Sequence, residues 1–365
     1  MDQNTRCCYI ATPVDMNNYG NRLQNFAVHW ICSKMGLTPV TLMPDDLTRK
    51  MRAKNMFLQT AALLHLDRIT RISPMLSVIT KQVLAARFTR KYIRMHRVKD
   101  EKDLERKIKP SDYVGVGGDQ IWSEYWRSKI WFARFALVDQ SKKICFSPSF
   151  GSSTISDEHS DIMKTDLTGI EYLAVREESG VDIIKKITGR QAQRICDPVV
   201  QLSNAEWNKY CQEITPLMQE KEKYILLYFI GPISIEKYEW IRTVKNEFHL
   251  ETIDVSRGNE NEAIDPLDFV ALIRDAFLVC TDSFHAIMIA LIMKSKTVIF
   301  EREGGEKMNT RINEIIERYG LESWCYKSNM SSSDIPILDE DYIQSVLQEE
   351  REKGYEYYKS VIRSI

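Results

Sequence analysis

The sequence predicts an α/β protein of two doubly wound, Rossmann-like domains facing across a cleft. Three observations predict it. Strands alternate with helices in both halves of the chain, a charged stretch around 198–222 loses strand character between them, and 365 residues is about two domains' worth of chain. At 44% hydrophobic and 28% charged, the chain can bury a sizeable core.

The first half opens with RCCYIATP (6–13), a short apolar run, then the loop VDMNNYGN and RLQNFAVHWICSKMG (22–36). In the latter, Leu23, Phe26, Ala27, Trp30 and Ile31 follow helical spacing, and Gly36 stands where a helix C-cap belongs. TPVTLM follows as a second strand, completing a parallel β-α-β unit. From 49 to 107 the pattern predicts a basic helical insert broken by Pro74. DYVGVGG (112–118) and KKICFSPSFG (142–151) then read as strands, and EYLAVREESGVDIIKKITG (171–189) as strand then helix. The N-terminal domain is therefore placed at 1–200.

The pattern restarts after 222. KYILLYFIG, ETIDVS, FLVCT and KTVIF are strands. IEKYEWIRTVKNEF, PLDFVALIRDA and DSFHAIMIALIMK are helices, the second with Pro266 at its start. A C-terminal domain over 222–330 and a helical segment over 331–365 follow.

Fifty basic residues against 51 acidic ones give a net charge of −1, which excludes a whole-protein electrostatic grip on nucleic acid. The charge is uneven, because 49–99 holds 13 Lys/Arg and one acid, Asp67. This stretch reads either as a solvated helical cover or as a surface attracted to anionic lipid. The opening MDQNTRCCYIATP lacks the pattern of a secretory signal, and the longest apolar run, 286–293, is too short to span a bilayer. A cytoplasmic protein is expected. The eight cysteines are scattered without CxxC spacing and read as reduced, mostly buried thiols, so no metal site is expected.

Four loci can carry chemistry. TDSFHA (281–286) follows a strand and starts an apolar helix, where free N–H groups and the helix dipole favour an anion beside His285. Asp282 or Ser283 could instead merely cap that helix. In AVREESG (174–180), Arg176 at a strand end can offer a bidentate fork to a carboxylate or phosphate, or form a structural ion pair; Glu177 and Glu178 are ordinary first-turn charges. VGVGGDQIW (114–122) is a glycine turn without dinucleotide-fingerprint or Walker A spacing. DMNNYGNRLQ (15–24), and Arg311 in NTRINEI (309–315), lie at helix starts, suited to sugar hydroxyls, to an anion or to capping alone.

In this order, NNYGNRLQ, VGGDQIW, SPSFG, LAVREESG, ICDPV and TDSFHAIMIALI before KTVIF resemble the polysaccharide pyruvyl transferase family over about residues 6–318. The resemblance implies a fold similar to the GT-B glycosyltransferases. It also implies transfer of pyruvate from phosphoenolpyruvate to a sugar diol of a capsular or cell-wall saccharide precursor, giving a cyclic ketal and phosphate. By that resemblance His285 is the general acid/base and Arg176 holds the donor. Ser283 and the backbone around Phe284 assist it; Asn18, Gly20, Asn21, Gly118, Asp119, Gln120 and Arg311 are further candidates for binding substrate, with the N-terminal domain as the acceptor side and the C-terminal domain as the donor side. Phosphoenolpyruvate serves as donor substrate, and no further cofactor is implied. The acceptor could be lipid-linked, which would bring the protein to the inner membrane face through 49–99. Two positions depart from the family: Ala286 stands where glycine usually follows the histidine, and Gly117-Gly118 stands where Gly-Ser is commoner. A GT-B glycosyltransferase using a nucleotide sugar and a catalytically silent saccharide-binding relative are the alternatives.

Overall fold

The computed structural model describes residues 6–44, 74–127, 142–211, 223–256, 264–303, 306–337 and 339–363. They divide into two units. Described residues before 60, from 87 to 201 and from 349 onward form the first, and those at 74–86 and 202–348 form the second.

The first unit is built on five parallel strands in the order β3-β2-β1-β4-β5. They are β1 (Cys7–Ala11), β2 (Thr38–Pro44), β3 (Met95–Val98), β4 (Tyr113–Gly117) and β5 (Lys142–Phe146). Central β1 pairs Cys8 with Tyr113 on one side and Cys7 with Thr38 on the other. The inner strands β1 and β4 are mainly apolar because both faces are covered, and Cys8, Ile10, Val114 and Val116, with Ile144 of β5, are almost fully buried. Each such side chain removed from water contributes about 1.5–3 kcal/mol.

Helix α1 (Tyr19–Lys34) returns the chain from β1 to β2. Asn18 caps its start by accepting from the Asn21 N–H, and Gly36, at φ 74°, lets the chain turn out of it. The stretch 49–107, expected as a helical insert, is only partly helical. Residues 45–73 lie outside the described set. Beyond them come α2 (Pro74–Tyr92), strand β3 and α3 (Glu101–Lys107). β3 was hidden because four residues at a sheet edge, only two of them apolar, carry too little apolar alternation to register as a strand. After the short α4 (Glu124–Arg127) and β5 come α5 (Asp157–Thr168), β6 (Ala174–Val175), α6 (Glu178–Thr188) and β7 (Gln193–Arg194), with β6 and β7 paired in parallel.

In the second unit α7 (Asn204–Cys211) precedes four parallel strands ordered β11-β10-β8-β9. These are β8 (Tyr224–Tyr228), β9 (Glu251–Asp254), β10 (Leu278–Thr281) and β11 (Thr297–Ile299). Helices α8 (Ile235–Glu247), α9 (Pro266–Asp275) and α10 (Phe284–Met293) connect them. Asp265 caps α9 in a reciprocal capping box with Asp268, and Pro266 takes the first helical position. α10 is apolar all round and buried from His285 to Met293, the pattern of a helix enclosed on every side. α11 (Glu306–Tyr319) and α12 (Glu340–Arg363) complete the chain. Six of the eight cysteines are buried and all are free thiols. Among the described residues no helix is long and apolar enough to cross a membrane.

Candidate functional site

In an open parallel sheet, ligands bind beyond the carboxyl ends of the strands where the strand order reverses. In the first unit that point lies between β1 and β4, and in the second between β8 and β10. Both points carry motifs singled out in the sequence.

In the first unit, Asn21 is the hub. Its Oδ1 accepts from Asp15 N at 2.8 Å and from Arg22 Nη2 at 2.6 Å, while its Nδ2 donates to Asp119 Oδ2 at 2.8 Å. The loop after β1 and the turn after β4 are thereby tied together by one amide. Gly20 lies buried in the first turn of α1. Arg22, fully buried, also donates to Pro13 O; burial pushes its pKa down to about 10, against the opposing pull of Asp15 and Asp119. Gly118 must stay small, because a Cβ there would lie 2.7 Å from Gln24 Oε1 and 3.0 Å from Pro198 Cγ. Asp119 adopts φ 60°, and its carbonyl accepts from Ile121 N and Ser149 N. Gln120 is half-buried against Gly151.

Arg176 is buried in this unit with its fork engaged by protein carboxylates: Nη1 donates to Asp197 Oδ2 at 2.9 Å and Nε to Glu177 Oε2 at 3.4 Å. Burial opposes its charge, but Glu177, Asp197 and Asp119 outweigh it and raise its pKa. Glu177 is more than a first-turn charge. It makes no cap bond to α6, and its Oε1 instead accepts from Ser149 Oγ at 2.7 Å and Phe150 N at 2.9 Å. The SPSFG, VREESG and ICDPV segments thus meet in one buried network. Position alone could not reveal it, since these partners are about 20 to 30 residues apart.

In the second unit, Thr281 Oγ1 donates to Tyr228 O at 2.6 Å and accepts from Ser283 N, joining the ends of β8 and β10. Ser283 caps α10 through the Ala286 N–H. Asp282 does not cap. Its buried carboxylate takes Ile230 N at 2.7 Å, Gly231 N at 2.9 Å and Arg302 Nε at 3.1 Å, fixing the loops that follow β8 and β11. His285 sits in the first turn of α10, buried, its ring edge-on to Phe284 at 5.3 Å. The Arg311 guanidinium lies 6.0 Å from the Phe284 ring centre. Ser283, Phe284, His285 and Arg311 therefore assemble in one unit, whereas Arg176 belongs to the other. Asp282 and Arg302 were missed as a pair, because 20 residues and a strand separate them. Among the described residues no three His, Cys, Asp or Glu side chains are placed to hold a metal ion.

The two units, each built on a doubly wound parallel sheet with such motifs at its reversal point, define an α/β protein of the Rossmann-like class. The chain belongs to the polysaccharide pyruvyl transferase family, whose model matches residues 18–304. It is similar in structure to Arabidopsis thaliana UGT89C1 complexed with UDP-L-rhamnose, with a TM-score of 0.50, 11% identity and coverage of 99% of this chain and 98% of that one. An α,α-trehalose-phosphate synthase (UDP-forming) from Burkholderia vietnamiensis matches at TM-score 0.47 and 8% identity, over 99% of this chain and 100% of that one. At 11% identity the likeness to UGT89C1 is one of fold. No curated protein matches the sequence.

Proposed function

We propose that the protein is a ketal pyruvyltransferase, moving the enolpyruvyl carbons of phosphoenolpyruvate onto a sugar diol and releasing phosphate. The observation that carries this reading is the placement of His285. In a member of the pyruvyl transferase family, it occupies the first turn of the helix that starts at the second unit's reversal point. A helix N-terminus favours a compact anion, and a donor bearing carboxylate and phosphate on neighbouring atoms is one.

Ketal formation needs a proton delivered to the methylene carbon, which leaves oxocarbenium character at C2 for a hydroxyl to attack. Histidine, as a general acid/base, is suited to that transfer. In this reading His285 is the acid, Ser283 and Arg311 bind the donor, and Asp282 holds the loops around them. Arg176, engaged by Asp197 and Glu177, positions the first unit's loops. Asn18, Gly20, Asn21, Gly118, Asp119 and Gln120 form the acceptor side. The reaction takes place in the cytoplasm on a saccharide precursor of capsule or cell wall.

Thermal unfolding with phosphoenolpyruvate, UDP-sugars and CMP-sialic acid tests the reading. A ligand selective for the native state stabilises it by about 2.7 kcal/mol at 100 times its Kd. A shift with phosphoenolpyruvate that His285→Ala or Arg311→Ala diminishes is expected. A shift with nucleotide sugars alone moves the protein to glycosyl transfer, and no shift with any of them removes the enzymatic reading.

A further inference from the structure

We propose that Asp119 is the general base of the first unit, the group that takes the proton from the acceptor hydroxyl. The inference rests on the pyruvyl transfer reading for its chemistry and on the first unit alone for its geometry. A carboxylate offers about four lone-pair directions, and buried ones normally fill several of them. The other buried carboxylates described above or nearby do so. Asp112 accepts from Cys7 N and Lys109 N, both at 3.0 Å. Glu177 takes Ser149 Oγ, Phe150 N and Arg176 Nε. Asp197 takes Arg176 Nη1 and Val199 N, and Asp282 takes two amides and Arg302.

Asp119 differs. The residue is 9% exposed, yet among the described residues its carboxylate receives a single hydrogen bond, from Asn21 Nδ2 to Oδ2. Oδ1 receives none. The usual local uses of an Asp in a turn are absent too, for it is the carbonyl of Asp119, not its carboxylate, that accepts from Ile121 N and Ser149 N. Asp119 lies close enough to two buried arginines, Arg22 and Arg176, for its charge to act on both. Its place, directly after β4 at the reversal point of the sheet, is where this fold class binds ligands. A carboxylate oriented by an amide through one oxygen, with the other left open, is matched to a neutral hydroxyl rather than to an anion.

The proton balance closes. As the first hydroxyl oxygen forms its bond to C2 of the enolpyruvyl group, its O–H bond breaks and the proton passes to Asp119 Oδ1, while C3 gains a proton from the acid. The second hydroxyl then closes the ring at C2 as the C–O bond to phosphate breaks. Its proton restores the acid, and the proton on Asp119 leaves with the phosphate.

The φ of 60° makes a clean experiment available, because both glycine and asparagine accept the left-handed region. Asp119→Gly and Asp119→Asn therefore keep the backbone while removing the base. Three measurements are made on the full chain. In the first, ligand-free unfolding, both variants are expected to keep a cooperative transition at a lowered Tm, since Asn21 Nδ2 loses its acceptor and Arg22 and Arg176 lose a neighbouring negative charge; loss of the cooperative transition in both would make Asp119 structural and overturn the proposal. The second is saturation-transfer NMR with a panel of methyl glycosides carrying free diols. Wild type is expected to give a signal that Asp119→Gly weakens about 10-fold or more. An unchanged signal in the variant, or none from wild type, overturns the proposal. The third follows phosphate release from phosphoenolpyruvate with a bound glycoside. Asp119→Asn is expected to lose about 100-fold or more in kcat with an unchanged Tm response to phosphoenolpyruvate, and formate is expected to restore turnover to Asp119→Gly. Full turnover in Asp119→Asn overturns it. A protein that binds glycosides through Asp119 but gives no response to phosphoenolpyruvate keeps the acceptor site and loses only the donor reading.

Discussion

Arg176 Nη1 donates to Asp197 Oδ2 across 2.9 Å, and both side chains are almost wholly buried. This arrangement changes how any Arg176 variant is to be interpreted. Removing one partner of a buried ion pair leaves the other charge uncompensated, at a cost of about 3–5 kcal/mol. Arg176→Ala and Asp197→Ala are both expected to lower the ligand-free Tm by similar amounts, and the double variant by less than their sum. Unfolding of the three in urea checks this; strict additivity would show that the pair is not coupled.

Asp282→Asn keeps the size of the side chain but weakens its hold on Ile230 N, Gly231 N and Arg302. The expected loss is about 1–3 kcal/mol. Amide exchange should quicken at Ile230 and Gly231, with the amides of β9 unaffected. Wild-type protection at both positions in the variant would show that the loop is held by something else.

His29 is buried beside Thr41, with Nε2 2.8 Å from its Oγ1, and its pKa is pushed down to about 3, first by burial and then by Arg22. The folded protein therefore keeps the ring neutral while the unfolded chain protonates near 6.5. Stability from this group is fully present above pH 6.5 and is lost as pH falls from there towards 3, at up to about 1.4 kcal/mol per unit. His29→Gln should flatten the curve of unfolding free energy between pH 6.5 and 4. An unaltered slope would place the acid sensitivity in other groups.

Deleting 49–99 to test lipid attraction would remove β3 from the sheet, so charge neutralisation is the sounder route. Replacing Arg49, Lys50, Arg52, Lys54, Arg68 and Arg71 by glutamine is expected to abolish pelleting with anionic liposomes if this stretch is the contact, at about 1 kcal/mol per basic residue near the surface. Equal pelleting of the two proteins removes the membrane contact.

The alternation of strands and helices was legible because buried parallel strands are short apolar runs and their helices carry a 3.6-residue period. KYILLYFIG and FLVCT needed nothing further. β3 was not legible, since Met95-His96-Arg97-Val98 is defined by its neighbour β2 rather than by its own composition. The site divides in the same way. Asn18, Gly20, Asn21, Ser283 and His285 announced themselves by standing at a strand-to-helix junction. Arg176 was visible as a cation at a strand end, but its partner Asp197 lies 21 residues away, and only the folded backbone brings the two within 2.9 Å. Asp282 and Ser283 were both open as caps; Ser283 is the one that caps, and the partners of Asp282 come from two other loops.

Residues 349–363 belong to the first unit although the chain leaves that unit at 201. Tyr358 is buried with its ring 5.4 Å from Phe146, and the Tyr357 hydroxyl accepts from Cys145 N while donating to Tyr172 O. On the ribosome, β1 to β7 are made first, yet the side chains that close over Phe146 emerge about 150 residues later, some 7–30 s at ordinary translation rates. During that interval the nascent first unit carries an open apolar seam, and it closes only after the second unit has been made.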